Sequence, residues 1–262
     1  AVHRDDVTDH NLYYSVNVDG ARVVCEICEE KGIKKIVFVS SVAVYGFAEP
    51  GTGEDGEICP FNEYGRTKAL AETIYLEWRA KDPENRSLII VRPTVVFGEG
   101  NRGNVYNLLH QINSKKFAMI GDGRNKKSIA YVDNLSAFLF ECVNSELPYG
   151  LFNYVDKPDF TMNELVSLAR FKLLGKKTSG IRIPRTLGLI IGFMADWIAR
   201  LGFRLPISSI RVKKFCSSSE FTTSKEQLNG FVEPYTLETA LFRTLEAEFL
   251  NPSPDRRVYY TE

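Results

Sequence analysis

Histidine is scarce in this chain, and the three present (His3, His10 and His110) are too scattered to argue for a metal site. Net charge is absent as well: 33 Lys and Arg balance 33 Asp and Glu, so nothing global recruits nucleic acid or a membrane surface. There is no apolar run of spanning length. The longest, LGLIIGFMADWIARLGF (187–203), is interrupted by Asp196 and Arg200 and falls short of the roughly 20 residues a span needs. It reads as an amphipathic helix covering a pocket, with shallow membrane contact as the alternative. No secretory leader pattern is visible. Five cysteines, an odd number without a tight framework, fit a reducing cytoplasm better than secretion. Cys25 and Cys28 form a CxxC inside a helical pattern with no second CxxC, which points to a half-buried helix face rather than to metal or redox chemistry.

What remains is an ordinary globular composition, 44% apolar and 25% charged, over 262 residues that can bury a large core. Charge is uneven along the chain. Residues 1–64 carry 12 acids against 5 bases, a net of −7, whereas 165–219 carry 11 bases and one acid, a net of +10. The basic segment is either a solvated face or a surface that meets an anionic ligand such as a diphosphate, with Arg185, Arg204, Arg211, Lys213 and Lys214 available to it.

Periodicity gives an alternation of helices and strands. Residues 11–32 read as one long helix ended by Gly32, KKIVFVSS (34–41) as a buried strand, 63–83 as a helix stopping at Pro83, and SLIIVRP (87–93) as another buried strand. Helices interleaved with strands at this spacing predict an α/β fold with a parallel sheet and helices on its faces. IAYVDNLSAFLFECV reads as a short strand turning into a helix, and the segments from about Thr161 to Leu250 as mostly helical.

The chemistry-bearing residues begin with Tyr64 and Lys68 in EYGRTK. Four residues apart on one helix face, both tips reach a common point. An ammonium beside a phenol favours the phenolate and makes the tyrosine a usable acid/base. With 12 tyrosines and 16 lysines in 262 residues, about 0.7 such pairs arise by chance, so the pair alone carries little. It is joined by Ser40 and Ser41, placed where an apolar strand runs out, and the carboxyl ends of parallel strands are where such sheets bind ligands.

In this order and spacing, FVSSVAVYG, YGRTK and VRPTVVFGEGN resemble the extended short-chain dehydrogenase/reductases, and within them the NAD-dependent sugar-nucleotide epimerase/dehydratase family. NVDGARVV (17–24) and GDGRNKKSIAYVDNLSAF resemble further segments of that family. The resemblance implies a partial Rossmann-like parallel sheet with helices on both faces plus a smaller, mostly helical substrate-binding region. Residues 1–95, rejoined by 129–155, are then the C-terminal part of the NAD-binding domain; 96–128 and 156–250 are the substrate-binding region, and 251–262 a tail. It implies Tyr64 as acid/base, Lys68 holding the nicotinamide ribose, and Ser41 bonding the substrate hydroxyl. NAD (or NADP) would be held by His3, Asn17, Ser40, Tyr64, Lys68, Pro93 and Thr94. Arg4 would lie near cofactor or substrate. The substrate, a nucleotide-diphosphate sugar, would meet Ser41, Val42, Val95 and Arg211. A cytoplasmic homodimer, paired through the 63–80 helix, is the expected assembly, with no nucleic acid and no transmembrane segment.

The departures are informative. Lys127-Ser128 stands where the family often has Arg-Asp, and Val42-Ala43 stands where the dehydratases place acids. The family's opening strand–GxxGxxG–helix is not among these residues and is expected upstream of Ala1. GTGEDG (51–56) matches a dinucleotide fingerprint in letters only: it lies in a loop, among Glu49, Glu54, Asp55 and Glu57, with no helix following until Glu63. It is expected to be an acidic surface loop. Two other readings stay open, a dehydrogenase of a hydrophobic, steroid-like alcohol on the same fold and a truncated, non-catalytic binding relative.

Overall fold

The structure, a computed structural model, describes residue 2 and residues 9–200 and 208–260. It begins with α1 (His10–Tyr13), a π-helical turn (Tyr14–Asp19) and α2 (Gly20–Lys31), a continuous helical run rather than a uniform α-helix. Gly32, at φ +65°, closes it in the left-handed conformation that a side chain disfavours. Then come β1 (Lys35–Val39), a 3-10 turn (Val42–Tyr45), α3 (Glu63–Ala80) and β2 (Ser87–Pro93). Helix α3 stops three residues before Pro83, earlier than the sequence pattern suggests.

After β2 follow β3 (Val95–Phe97), α4 (Asn104–Asn113), β4 (Met119–Ile120), β5 (Lys126–Lys127), β6 (Ile129–Tyr131), α5 (Val132–Asn144) and β7 (Tyr149–Tyr154). The chain continues through β8 (Phe160–Thr161), α6 (Met162–Leu174), β9 (Arg182–Ile183), α7 (Arg185–Arg200), α8 (Ser209–Cys216) and α9 (Leu237–Leu245), which runs into a π turn (Glu246–Leu250).

The main sheet is parallel in the order β1-β2-β7, with Val39 opposite Val91 and Pro93 opposite Tyr154. β2 is buried on both faces, which is why it reads as an unbroken apolar run. Leu88 and Ile90 face α2 and α3, where Ala71, Tyr75, Trp78, Cys25 and Cys28 complete one core layer. Ile89 and Val91 face α5, where Leu135, Phe138 and Cys142 complete the other. Cys25 and Cys28 are thus core residues, and burial pushes the Cys25 thiol up to about 11, far from a reactive thiolate.

A second core joins α4, α6 and α9 around Leu109, Ile112, Leu165, Val166 and Leu241. Three separate two-stranded pairs (β3 with β6, β4 with β9, β5 with β8) lie outside the main sheet. The expected helical stretch from Thr161 is therefore interrupted by β9 and by extended segments. Residues 251–260 are mostly exposed and are pinned near their end: the Tyr259 amide donates to Gly100 O (2.8 Å), and the Arg102 amide donates to Tyr259 O (2.8 Å).

Candidate active site

β1 and β2 end side by side, and the candidate residues gather beyond their carboxyl ends. The Ser40 amide donates to Val91 O at 2.7 Å, which continues the parallel ladder one residue past β1. Ser40 Oγ is buried and has no hydrogen-bond partner. Ser41 is extended (φ −164°, ψ 150°), and its Oγ accepts the Ala43 amide at 3.1 Å, capping the 3-10 turn.

Helix α3 starts with Asn62 as its cap, Oδ1 accepting the Gly65 amide at 2.9 Å. This puts Tyr64, half-buried, in the first turn. Gly65 is the point of closest approach between the helix and the Ser41 turn: a β-carbon there would lie 2.4 Å from Ala43 O. Any side chain there must shift the first turn of α3 away from the 3-10 turn at Ala43. Gly65→Ala, a stabilising change in an open helix interior, is expected here to cost about 1–3 kcal/mol, read as a loss of Tm with a parallel fall in kcat.

One turn further, Lys68 is only 6% exposed. Its Nζ donates to Val39 O at 2.8 Å and lies 4.8 Å from the Phe38 ring centroid. The helix is thereby tied to the last residue of β1, one position before Ser40. Burial holds the Lys68 ammonium down to about 8, against an opposing pull from the Glu72 carboxylate.

Asn17 sits in the π-helical turn, a distortion that often marks functional positions. Its Nδ2 donates to Val2 O and to Thr67 Oγ1, both at 3.0 Å, and its Oδ1 accepts the Val2 amide at 2.9 Å. One side chain thus fastens the backbone at residue 2 to α3 between Tyr64 and Lys68. Pro93 and Thr94 lie at the end of β2, and the Thr94 amide (3.0 Å) and hydroxyl (3.3 Å) both donate to Tyr154 O. Val42 is partly buried, whereas Val95 on β3, next to Thr94, and Arg211 on α8 are exposed. His3, Arg4 and Arg204 lie outside the described residues.

Sequence reasoning missed the support behind the site. Arg92 forks onto Glu72 (Nε to Oε1 2.9 Å, Nη2 to Oε2 2.6 Å) with both side chains 6% exposed. Arg92 Nη1 also donates to Tyr45 Oη at 2.7 Å, and Tyr45 donates to Asn153 Oδ1 at 2.8 Å. Helix α3, β2, the Ser41 turn and β7 are thereby locked together. The available signal was Glu72 itself, four residues beyond Lys68 on the same helix face.

GTGEDG lies at the surface, with none of its six residues buried, and it also belongs to this support. Glu54 Oε1 accepts the Asn153 amide (3.0 Å) and the Ser224 amide and hydroxyl (2.8 and 2.9 Å). The loop straps β7 to the chain after α8. Lys127 and Ser128 are likewise structural: Lys127 Nζ donates to Lys214 O (2.8 Å) and Ser217 O (2.6 Å), and Ser128 Oγ donates to Asp159 Oδ1 (2.7 Å). No group of three His, Cys, Asp or Glu able to hold a metal occurs among the described residues.

The sequence model of the NAD-dependent epimerase/dehydratase family matches residues 1–148. The chain belongs to that family. An N-acetyl-α-D-glucosaminyl-diphospho-ditrans,octacis-undecaprenol 4-epimerase of Escherichia coli O157:H7 is 46% identical over 264 residues, covering all of this chain and 80% of the relative. A 3β-hydroxysteroid-dehydrogenase/decarboxylase of Arabidopsis thaliana is 26% identical, covering 92% of this chain and 59% of the relative. Among solved structures, MoeE5 in complex with UDP-glucose and NAD superposes with a TM-score of 0.70 at 21% identity, covering 96% of this chain and 77% of that one, a likeness of fold. The chain is thus an NAD-dependent epimerase/dehydratase-family enzyme with the α/β fold its sequence predicts. The cluster fits that cofactor: Ser40 offers a buried, unpartnered hydroxyl one residue beyond the carbonyl that Lys68 holds.

Proposed function

We propose that this chain carries the acid/base centre of a 4-epimerase acting on a hexose attached through a diphosphate, with Tyr64, Lys68 and Ser41 as its catalytic residues. The observation that carries the reading is the docking of α3 onto the end of β1. Gly65 against Ala43 O and Lys68 against Val39 O bring a tyrosine, a cation and a strand-end hydroxyl to one sheet edge. The 46% identical relative supports inversion at C4 and a diphosphate-linked sugar. NAD supplies the hydride acceptor and donor when bound.

The chain's own residues then have defined tasks. Tyr64 takes the C4 hydroxyl proton and later returns it, and Ser41 holds that hydroxyl in line. Lys68 stabilises the phenolate and orients the nicotinamide ribose, with Ser40, Asn17, Pro93 and Thr94 as further cofactor contacts and Val42, Val95 and Arg211 on the substrate side. In this reading 1–95 with 129–155 form the cofactor domain and 96–128 with 156–250 the substrate region. The sequence's two enzymatic alternatives, a nucleotide-borne sugar and a hydrophobic alcohol, meet in a sugar whose diphosphate carrier is a polyprenol, as in the bacterial relative.

The five free cysteines support a cytoplasmic setting. A homodimer through α2 and α3 is supported by the exposed Val23, Ile27, Leu70 and Leu76 on those helices.

The experiment is to incubate the NAD-loaded protein with N-acetylglucosamine diphosphate carried on uridine or on a polyprenol and to identify the sugar formed. The 4-epimer from either carrier supports the reading; unchanged substrate from both contradicts it.

Lys68 also sets an expected pH profile. Its charge is lost as pH rises through about 8, and with it the support for the phenolate, so kcat/KM of the free enzyme falls on an alkaline limb near pH 8. Lys68→Arg moves that limb above pH ~10, since a guanidinium stays protonated. For stability the sign is opposite: the unfolded chain holds the proton up to about 10.4, so between about 8 and 10.4 this group makes the fold more stable as pH rises.

A further inference from the structure

Helix α7 is built the wrong way round for a helix that only covers a pocket. Its small residues face the protein: a β-carbon on Gly188 would meet Ile120 Cγ2 at 2.6 Å, one on Gly192 would meet the Ser209 backbone at 2.8 Å, and Ala195 is buried. Its large apolar residues face outward. Leu187, Ile190, Ile191, Phe193, Met194 and Trp197 are 39–64% exposed. Asp196, the helix's one acid, is turned inward, where its carboxylate accepts the Ser209 amide at the start of α8 (3.2 and 3.3 Å). The outer face is therefore apolar and free of negative charge.

Cations frame it. Arg185 and Arg182 are exposed at its N-terminal side, and Arg211 and Lys213 are exposed on α8. Lys213 Nζ lies 5.6 Å from the Phe193 ring centroid. Eleven of the chain's 33 basic residues fall in 165–219 with a single acid, although the whole chain is neutral. A solvated face needs no aromatic and aliphatic surface beside it, and no helix among the described residues is long and apolar enough to cross a membrane. Bulky apolar residues, an aromatic at the edge and flanking lysine and arginine are the pattern of a helix lying in a bilayer interface.

We propose that α7 and α8 form a docking surface for an anionic phospholipid bilayer, with the outer face of α7 inserted among the acyl chains and the α8 cations on the headgroups. The same surface leads to the candidate active site. Lys214, next to Lys213, lies 4.5 Å from the Phe61 ring, which stacks on the exposed Phe47 at 4.6 Å. Phe61 precedes Asn62, the cap of the helix that carries Tyr64. From lipid face to cations to site mouth, this order matches the order of polyprenol, diphosphate and sugar in a lipid-carried substrate. The docking surface stands on α7 and α8 alone; only its use in delivering such a substrate rests on the reaction proposed above.

The test uses the full chain with vesicles of phosphatidylglycerol and phosphatidylethanolamine, and with phosphatidylcholine vesicles as the uncharged control. The chain has two tryptophans: Trp78 is buried under Arg86, and Trp197 stands on the outer face of α7. Co-sedimentation with the anionic vesicles and a blue shift of tryptophan emission are expected, both weakened by salt. Ile190→Glu with Met194→Glu should abolish both while leaving the circular dichroism spectrum and turnover of a water-soluble uridine diphosphate sugar unchanged. Arg211→Glu with Lys213→Glu should weaken vesicle binding by about tenfold or more.

No co-sedimentation and no blue shift would overturn the proposal. So would an Ile190→Glu, Met194→Glu variant that changes oligomeric state in the absence of lipid, since α7 would then be covered by a second copy. Vesicle binding without turnover of any sugar diphosphate would overturn the proposed reaction and leave the docking surface in place.

Discussion

Tyr64→Phe is expected to lower kcat by about 10²–10⁴-fold while leaving NAD affinity nearly unchanged. The substitution removes one oxygen from a half-buried ring in the first turn of α3 and leaves the helix cap, Gly65 and the Lys68–Val39 contact in place. A residue that only packs would lose its effect on rate together with its effect on stability. A general acid/base loses the rate alone. Initial rates and a binding titration with NAD on the same preparation separate the two. A rate within a few-fold of the parent protein would remove Tyr64 from the chemistry.

The largest stability effect is expected at Arg92. Its guanidinium is almost fully buried, and burial alone would favour its neutral form; the forked Glu72 carboxylate and the Tyr45 hydroxyl hold it charged. Removing one partner of such a pair leaves the other as an uncompensated buried charge. Arg92→Ala is therefore expected to cost about 3–5 kcal/mol, at about 2–4 °C of Tm per kcal/mol for a chain of this size. Glu72→Leu combined with Arg92→Leu should cost less than the sum of the single changes, because the stranded charge is gone. Thermal unfolding of the two single variants and the double variant tests this, and additive losses would show that the pair does not act as a unit. Catalysis should suffer in the single variants, since Glu72 opposes the downward shift of Lys68 and Tyr45 ends the turn that starts at Ser41.

The legible parts of this protein were those whose signal is local. The β1 and β2 runs, the helix at 63–80 and the junction at 129–144 follow from apolar period and caps, and they place Ser40, Ser41, Tyr64 and Lys68 at one sheet edge. β7 escaped because YGLFNY carries a glycine and an asparagine and lacks β-branched residues; it is a strand because β2 offers it a parallel partner. The pairs β4–β9 and β5–β8 are two residues each and are set by partners tens of residues away, which no window of sequence reveals.

The network of Tyr45, Glu54, Glu72, Arg92 and Asn153 is hidden for the same reason, since its members come from five separate segments. In α7 the period showed which residues share a face but not which face meets the protein. Glycines at 188 and 192 reverse the usual answer by letting α8 approach the helix closely.

The most direct measurement of the central claim follows an isotope at the sugar's C4. Substrate labelled with deuterium at C4 is converted by the NAD-loaded protein, and the product is read by mass spectrometry and proton NMR. Removal and return at the same carbon, with Tyr64 handling only the hydroxyl proton, predicts a 4-epimer that retains the deuterium. A 4-epimer that has exchanged its deuterium for solvent hydrogen would contradict the account, because the inverted hydrogen would then have left as a proton.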